Sequence, residues 1–131
     1  MIELMQTNIQ DKYLKVQVET ASPGELTHLL YQELVRTLMR ARQMVIQKDY
    51  QISNELLHKG RSILFELMST LDMKYDISKD LYALYEFYAK CIAEVIINHE
   101  IDMLDEVIDF AKGMYETWKQ ALQIVKGGSA E

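Results

Sequence analysis

The scarcity of helix-breaking residues constrains this chain more than any other feature of its sequence. Its 131 residues include one proline, Pro23, and five glycines, of which Gly127 and Gly128 lie near the C-terminus. Proline and glycine usually mark tight turns and the ends of short strands, so a chain with few of them favours long helices. We therefore expect an all-α protein of single-domain size.

Apolar residues recur at three- and four-residue spacings in four stretches, as expected for amphipathic helices. The first helix is predicted to begin at a capping box, with Ser22 as the N-cap, Pro23 at the first helical position and Glu25 three residues after the serine. Its predicted core stripe is Leu26, Leu30, Leu34, Thr37, Leu38, Ala41 and Val45. The second helix is predicted to begin after Asp49 as its N-cap. Its predicted core stripe is Ile52, Leu56, Gly60, Ile63, Leu67 and Leu71. The third and fourth stripes run over residues 81–96 and 104–125.

Four helices of similar length with short connectors predict an antiparallel up-down four-helix bundle. We assign residues 20–125 to the bundle, 1–19 to an N-terminal extension and 126–131 to a flexible tail. Ile9, Tyr13, Val16 and Val18 make the extension partly apolar without a clean period. It is either a disordered arm or a segment that caps the bundle.

The net charge and the absence of targeting signals limit the classes of partner and the location that we expect. Fourteen Lys and Arg against twenty Asp and Glu give a net charge of −6, which argues against nucleic acid and anionic membranes as partners. The sequence has neither a recognisable signal peptide nor an apolar run long enough for membrane insertion. We expect a cytoplasmic protein.

Two Glu-x-x-His motifs, Glu25–His28 and Glu55–His58, raise the possibility of a metal-binding bundle. Helical geometry places both motifs away from the core stripes and at opposite ends of an antiparallel pair, so solvated polar faces are the favoured interpretation. Phosphate-binding loops and a nucleophile with a neighbouring base are also missing from the sequence. We expect no enzymatic activity and no metal site.

Several apolar residues fall outside the predicted core stripes. A bundle helix needs only one apolar sector, so a second row favours a partner surface. On the first helix Tyr31 leads into such a row. A homodimer interface, or the folded-back extension, would use the same surface. The candidate residues are Tyr31, Val35, Met39, Ile46, Leu57, Phe65, Met68 and Phe87.

Several blocks of the sequence resemble, in order and spacing, the flagellin-specific export chaperones of the FliS family. The most specific is TASPGELTHLLY, from Thr20 to Tyr31. The resemblance covers about residues 13–122. The other blocks are KDYQISNELL from Lys48, ELMSTLD from Glu66, LYALYEF from Leu81, and MLDEV from Met103 followed by TWKQA from Thr117.

The resemblance implies a helical bundle that binds the unfolded C-terminal segment of flagellin, prevents premature polymerisation and hands the subunit to the export machinery. It implies a chaperone with neither catalytic activity nor a cofactor. The off-stripe residues would then contact the client, together with Tyr13, which matches a family tyrosine by its distance from Thr20. The export machinery and a flagellar anti-sigma factor are further partners that the family suggests.

The chain also departs from the family pattern. A first N-terminal tyrosine is replaced by Gln10, and polar positions of the third helix hold Lys90, Cys91 and Ile96. Independently of these departures, two other hypotheses stay open beside the chaperone. One is a homodimeric helical-bundle interaction protein, and the other is the metal-binding bundle.

Overall fold

The computed structural model describes residues 22–129, with side chains described as far as residue 125, and it shows four helices in this part of the chain. They are α1 (Pro23–Ile46), α2 (Tyr50–Ser69), α3 (Asp76–Asn98) and α4 (Ile101–Ser129). Neighbouring pairs are α1 with α2, α2 with α3, α1 with α4, and α3 with α4. The all-α bundle is therefore confirmed. The N-terminal extension, including Tyr13, lies outside the described residues.

Local hydrogen bonds explain where the first two helices begin. The Ser22 side chain accepts from the backbone N–H of Glu25, and the Glu25 carboxylate accepts from the backbone N–H of Ser22, which completes the predicted capping box. The carboxylate of Asp49 accepts from the backbone N–H of Ile52 at the start of α2. Lys48 and His99 adopt left-handed backbone conformations in the turns that precede α2 and α4.

The core stripe of α1 was predicted correctly, with every member buried except the half-buried Leu26. The core stripe of α2 was predicted correctly in part, because Ile52 is 40% exposed whereas the other predicted members are buried or half-buried. The prediction left out Leu57 and Leu64, which are fully buried where α2 packs against α1 and α3.

Gly60 sets the close approach of α2 to α1. A Cβ atom at this position would lie 3.0 Å from Cδ2 of Leu38 and 3.7 Å from Cδ1 of Ile92. Gly24, near the N-terminus of α1, lies beside Leu122 in the C-terminal part of α4. The first and last helices therefore run antiparallel. Helix α4 continues past the predicted bundle limit at residue 125 to Ser129.

Candidate binding surface

Two predicted surface residues belong to the core. Tyr31 and Leu57 are fully buried, so neither side chain is available to a partner, and this corrects their assignment to outer rows. Tyr31 can be buried because its hydroxyl forms a hydrogen bond with the hydroxyl of Tyr85 on α3. Burial, and then this hydrogen bond, raise the pKa of Tyr31 far above the ordinary value. Leu57 is buried because the face of α2 that packs against α1 and α3 is wider than the predicted stripe.

The outer row of α1 lies on the side that faces α4. Arg42 marks that side because it forms an ion pair with Asp105 of α4 at 2.6 Å. Met39 lines the groove between the two helices with Ile108. Met39 is 45% exposed and Ile46 is 55% exposed. Val35 is only partly accessible, because it packs against the core.

Phe65 and Met68 lie on the face of α2 that is directed towards α3. Tyr50 identifies this face, because its ring stacks on His99 at the end of α3 with a distance of 3.8 Å between the ring centroids. Met68 follows Tyr50 by five full helical turns, so it lies on the same face of α2. The opposite face of α2 carries Lys59, which reaches Glu33 of α1. Phe65 is 47% exposed, whereas Met68 packs partly against the core.

Phe87 lies beside a third groove, between α3 and α4. The rings of Phe87 and Tyr88 form a T-shaped pair with centroids 5.1 Å apart. The Tyr88 ring in turn stacks on Phe110 of α4, with centroids 4.0 Å apart. Phe87 is 56% exposed. These two helices lie less closely together than the other neighbouring pairs, and the aromatic rings fill the space between them.

The predicted residues thus fall in three separate grooves rather than in one patch. Sequence reasoning also missed part of the third groove. Six residues there share a spacing of seven and then four residues on each helix, and that repeat was readable in the sequence. Tyr88 and Met114 had been assigned to the core stripes, and the four residues that were not identified are Ile77, Leu84, Met103 and Phe110.

A further apolar cavity of about 460 Å³ opens at the end of the bundle where α1 begins. It is lined by Pro23 and Leu26 of α1, Thr70 after α2 and Trp118 of α4. The described residues therefore offer apolar concavities along the sides and at one end of the molecule.

The candidate metal ligands do not come together in the described part of the chain. Residues 22–125 contain no group of three or more potential metal ligands close enough to hold an ion. Glu25, Glu55 and His58 are exposed, as predicted for solvated faces. His28 is not, because its ring stacks on Tyr115 at 4.7 Å, and burial followed by Lys119 lowers its pKa.

The single cysteine is also unsuited to nucleophilic chemistry. Cys91 packs partly against the core, and burial, followed by the charges of Glu94 and Glu106, raises the pKa of its thiol. A raised pKa keeps the thiol protonated and unreactive near neutral pH. The described helices also include none that is both long and apolar enough to cross a membrane. The exposed apolar grooves are therefore the candidate binding surface of the described part of the chain.

Comparisons with known proteins relate this chain to a family of flagellar proteins. The chain matches the family model of the flagellar protein FliS over residues 5–125. It is 33% identical to the flagellar secretion chaperone FliS of Bacillus subtilis over 118 residues, which are 88% of this chain and 89% of that protein. It is 29% identical to the flagellar secretion chaperone FliS of Vibrio cholerae, with 82% of this chain and 84% of that protein covered.

A solved structure, described as the crystal structure of a flagellar chaperone from bacteria, has the same fold. It superimposes with a TM-score of 0.72 at 20% identity and covers 90% of this chain and 98% of the other.

Proposed function

This chain belongs to the FliS family of flagellar secretion chaperones, and from that premise we propose that it binds the disordered C-terminal segment of flagellin. The bound segment would be unable to pair with other flagellin copies, so polymerisation before secretion would be blocked. The complex would then deliver the subunit to the export machinery from the cytoplasm. We propose no enzymatic role, in keeping with a family of chaperones.

The observation that supports this proposal is the set of exposed apolar side chains in grooves between helices whose core is already closed. Met39 and Ile46 lie beside α4, Phe65 beside α3, and Leu84 and Phe87 beside the aromatic rings of the third groove. Amphipathic helices characteristically bind in such grooves. A long segment wrapped over the bundle could occupy several of them in turn.

The energetics also suit a chaperone that must later release its client. Covering apolar surface in three grooves is favourable, but ordering a disordered segment costs conformational entropy and moderates the affinity. A wide interface with moderate affinity can be released stepwise at the export site. Tyr13 belongs to this proposal through its family position only, and contacts with an anti-sigma factor rest on the same resemblance.

The main alternative is a homodimer that hides the same grooves between two copies of this chain. Size-exclusion chromatography with in-line light scattering distinguishes the two hypotheses by molar mass. It is run on the protein with and without the C-terminal segment of flagellin from the same bacterium. The chaperone proposal expects the segment to co-elute with one copy of the protein. A stable dimer whose mass does not change when the segment is added would contradict it and favour the homodimer.

A further inference from the structure

Helix α2 carries a partly buried cation for which the described residues provide no anion. Among the Lys and Arg residues between 22 and 125, only Arg42 and Arg61 are partly buried. Arg42 is paired with Asp105 at 2.6 Å. Arg61 has no carboxylate within ion-pairing distance in this part of the chain, and its Nε is enclosed without an acceptor. Burying a cation without a partner costs free energy.

The guanidinium of Arg61 is held at the surface by an aromatic ring. Its central carbon lies 5.4 Å from the centroid of Phe65, one helical turn further along α2, in a cation–π contact. Phe65 is itself about half exposed, so the pair presents a cation beside an apolar ring at the groove between α2 and α3. Arginine and aromatic side chains are enriched among the residues that contribute most to protein binding.

We infer that Arg61 and Phe65 together recognise one acidic residue of the client segment and an apolar residue one helical turn away from it. This inference rests on the proposed function and adds a requirement for a carboxylate at one position of the client. A carboxylate is the acceptor that the guanidinium lacks, and its planar shape fits the two-pronged donor geometry of arginine. The apolar residue of the client would cover the exposed ring of Phe65.

The spacing of the two receptor residues sets the spacing expected in the client. Arg61 and Phe65 are four residues apart, so their side chains are neighbours on the helix surface. A helical client lying along the groove would therefore present its acid and its apolar residue three or four residues apart. Arg61 also lies on the face that carries Tyr50 and Met68, away from the Lys59–Glu33 ion pair.

A double-mutant cycle tests this pairing. The probe is the C-terminal segment of flagellin from the same bacterium, with each Asp changed in turn to Asn and each Glu to Gln. The receptor variant is Arg61→Met, which keeps an apolar stem of similar length. We expect Arg61→Met to weaken binding about tenfold to a hundredfold. One amide variant of the segment should weaken binding to the wild-type protein similarly and have no further effect on Arg61→Met.

Two receptor controls accompany the cycle. Arg61→Lys keeps the charge without the two-pronged geometry, so its affinity should fall between those of wild type and Arg61→Met. Lys90→Met removes an exposed cation of α3 and should leave the affinity unchanged. Urea unfolding of each variant checks that the fold is retained, which we expect because Arg61 has no ion pair to lose.

The outcomes separate this inference from the proposed function. Unchanged affinity in Arg61→Met, or a loss of affinity that is coupled to none of the client carboxylates, would overturn the inference while flagellin binding stands. If the wild-type protein failed to bind the segment at all, the proposed function would fall and this inference with it.

Discussion

The hydroxyl groups of Tyr31 on α1 and Tyr85 on α3 are hydrogen-bonded to each other inside the bundle and link two helices that are diagonal to one another. Such a buried polar pair is favourable when both members are satisfied and costly when one is left unpaired.

We predict that Tyr31→Phe and Tyr85→Phe each destabilise the fold. Each replacement leaves the other buried hydroxyl without the hydrogen-bond partner that it has in the wild type. An unpaired buried hydroxyl costs about 1–3 kcal/mol. The double variant should lose less than the sum of the two single variants, as measured by urea unfolding. Additive losses would show that the two hydroxyls do not interact.

Stability should fall in alkaline solution because of the same pair. Burial raises the pKa of Tyr31 and of Tyr85 in the folded protein, so the fold favours their neutral forms. The stabilisation is therefore complete below the unfolded pKa of about 10 and is lost as the pH rises above it. The urea concentration at the midpoint of unfolding should decline above about pH 10. The Tyr31→Phe/Tyr85→Phe variant should decline less steeply, and the exposed control Tyr82→Phe should follow the wild type.

Stability should also fall in acidic solution, because of Glu33. Burial alone would raise its pKa, but hydrogen bonds from Arg36 and Lys59 outweigh burial and hold the pKa below the ordinary value of 4.5. Its stabilisation is present above that value and is lost as the pH falls through the lowered pKa. We expect Glu33→Gln to be less stable than wild type at neutral pH, with the difference shrinking in acid. A constant difference would contradict the assignment, and the exposed Glu55→Gln serves as the control.

Two glycines within helices should respond oppositely to alanine. At Gly113 the added Cβ would meet nothing within 4 Å, so Gly113→Ala should stabilise the protein by up to about 1 kcal/mol through helix propensity. At Gly60 the same atom would lie 3.0 Å from Leu38. Overpacking typically costs about 1–3 kcal/mol, so Gly60→Ala should be less stable than Gly113→Ala by at least 1 kcal/mol. Thermal unfolding of the two variants makes the comparison, and equal stabilities would disprove the close approach of α1 and α2.

Serine substitutions in each groove should map the path of the client. We expect Met39→Ser/Ile46→Ser, Phe65→Ser and Leu84→Ser/Phe87→Ser to keep the fold, because these side chains are about half exposed. Each groove that the client occupies should show a loss of affinity of about tenfold or more, since a fully buried apolar side chain contributes about 1.5–3 kcal/mol. Lys79→Ser is an exposed control, and Leu34→Ser should disrupt the core. A groove whose variant binds normally does not lie on the path.

Local signals in the sequence determined what could be predicted. The capping box at Ser22 and the spacing of apolar residues were sufficient for the start and the core face of α1. They could not give the full width of the buried face of α2, because the burial of Leu57 and the exposure of Ile52 depend on packing against α1 and α3. Nor could they show that Tyr31 is buried, because its partner Tyr85 is 54 positions away in the chain.

The groove surface was the least predictable part. Met39, Ile46, Phe65 and Phe87 were identified as apolar residues outside the core stripes, and all four are exposed. Their separation into three grooves depends on which helices are neighbours, and periodicity does not contain that information. The lack of an anion for Arg61 is likewise visible only when the helices are packed.

The proposed binding of flagellin is tested most directly by isothermal titration calorimetry with purified wild-type protein and the C-terminal segment of flagellin. The titration should be repeated at several temperatures and with full-length flagellin from which that segment has been removed. We predict saturable binding of one segment per protein, with a negative heat-capacity change from the burial of apolar surface. The truncated flagellin should give no binding. If the isolated segment produced no binding heat at any temperature, or if truncated flagellin bound as tightly as the intact subunit, the account would be contradicted.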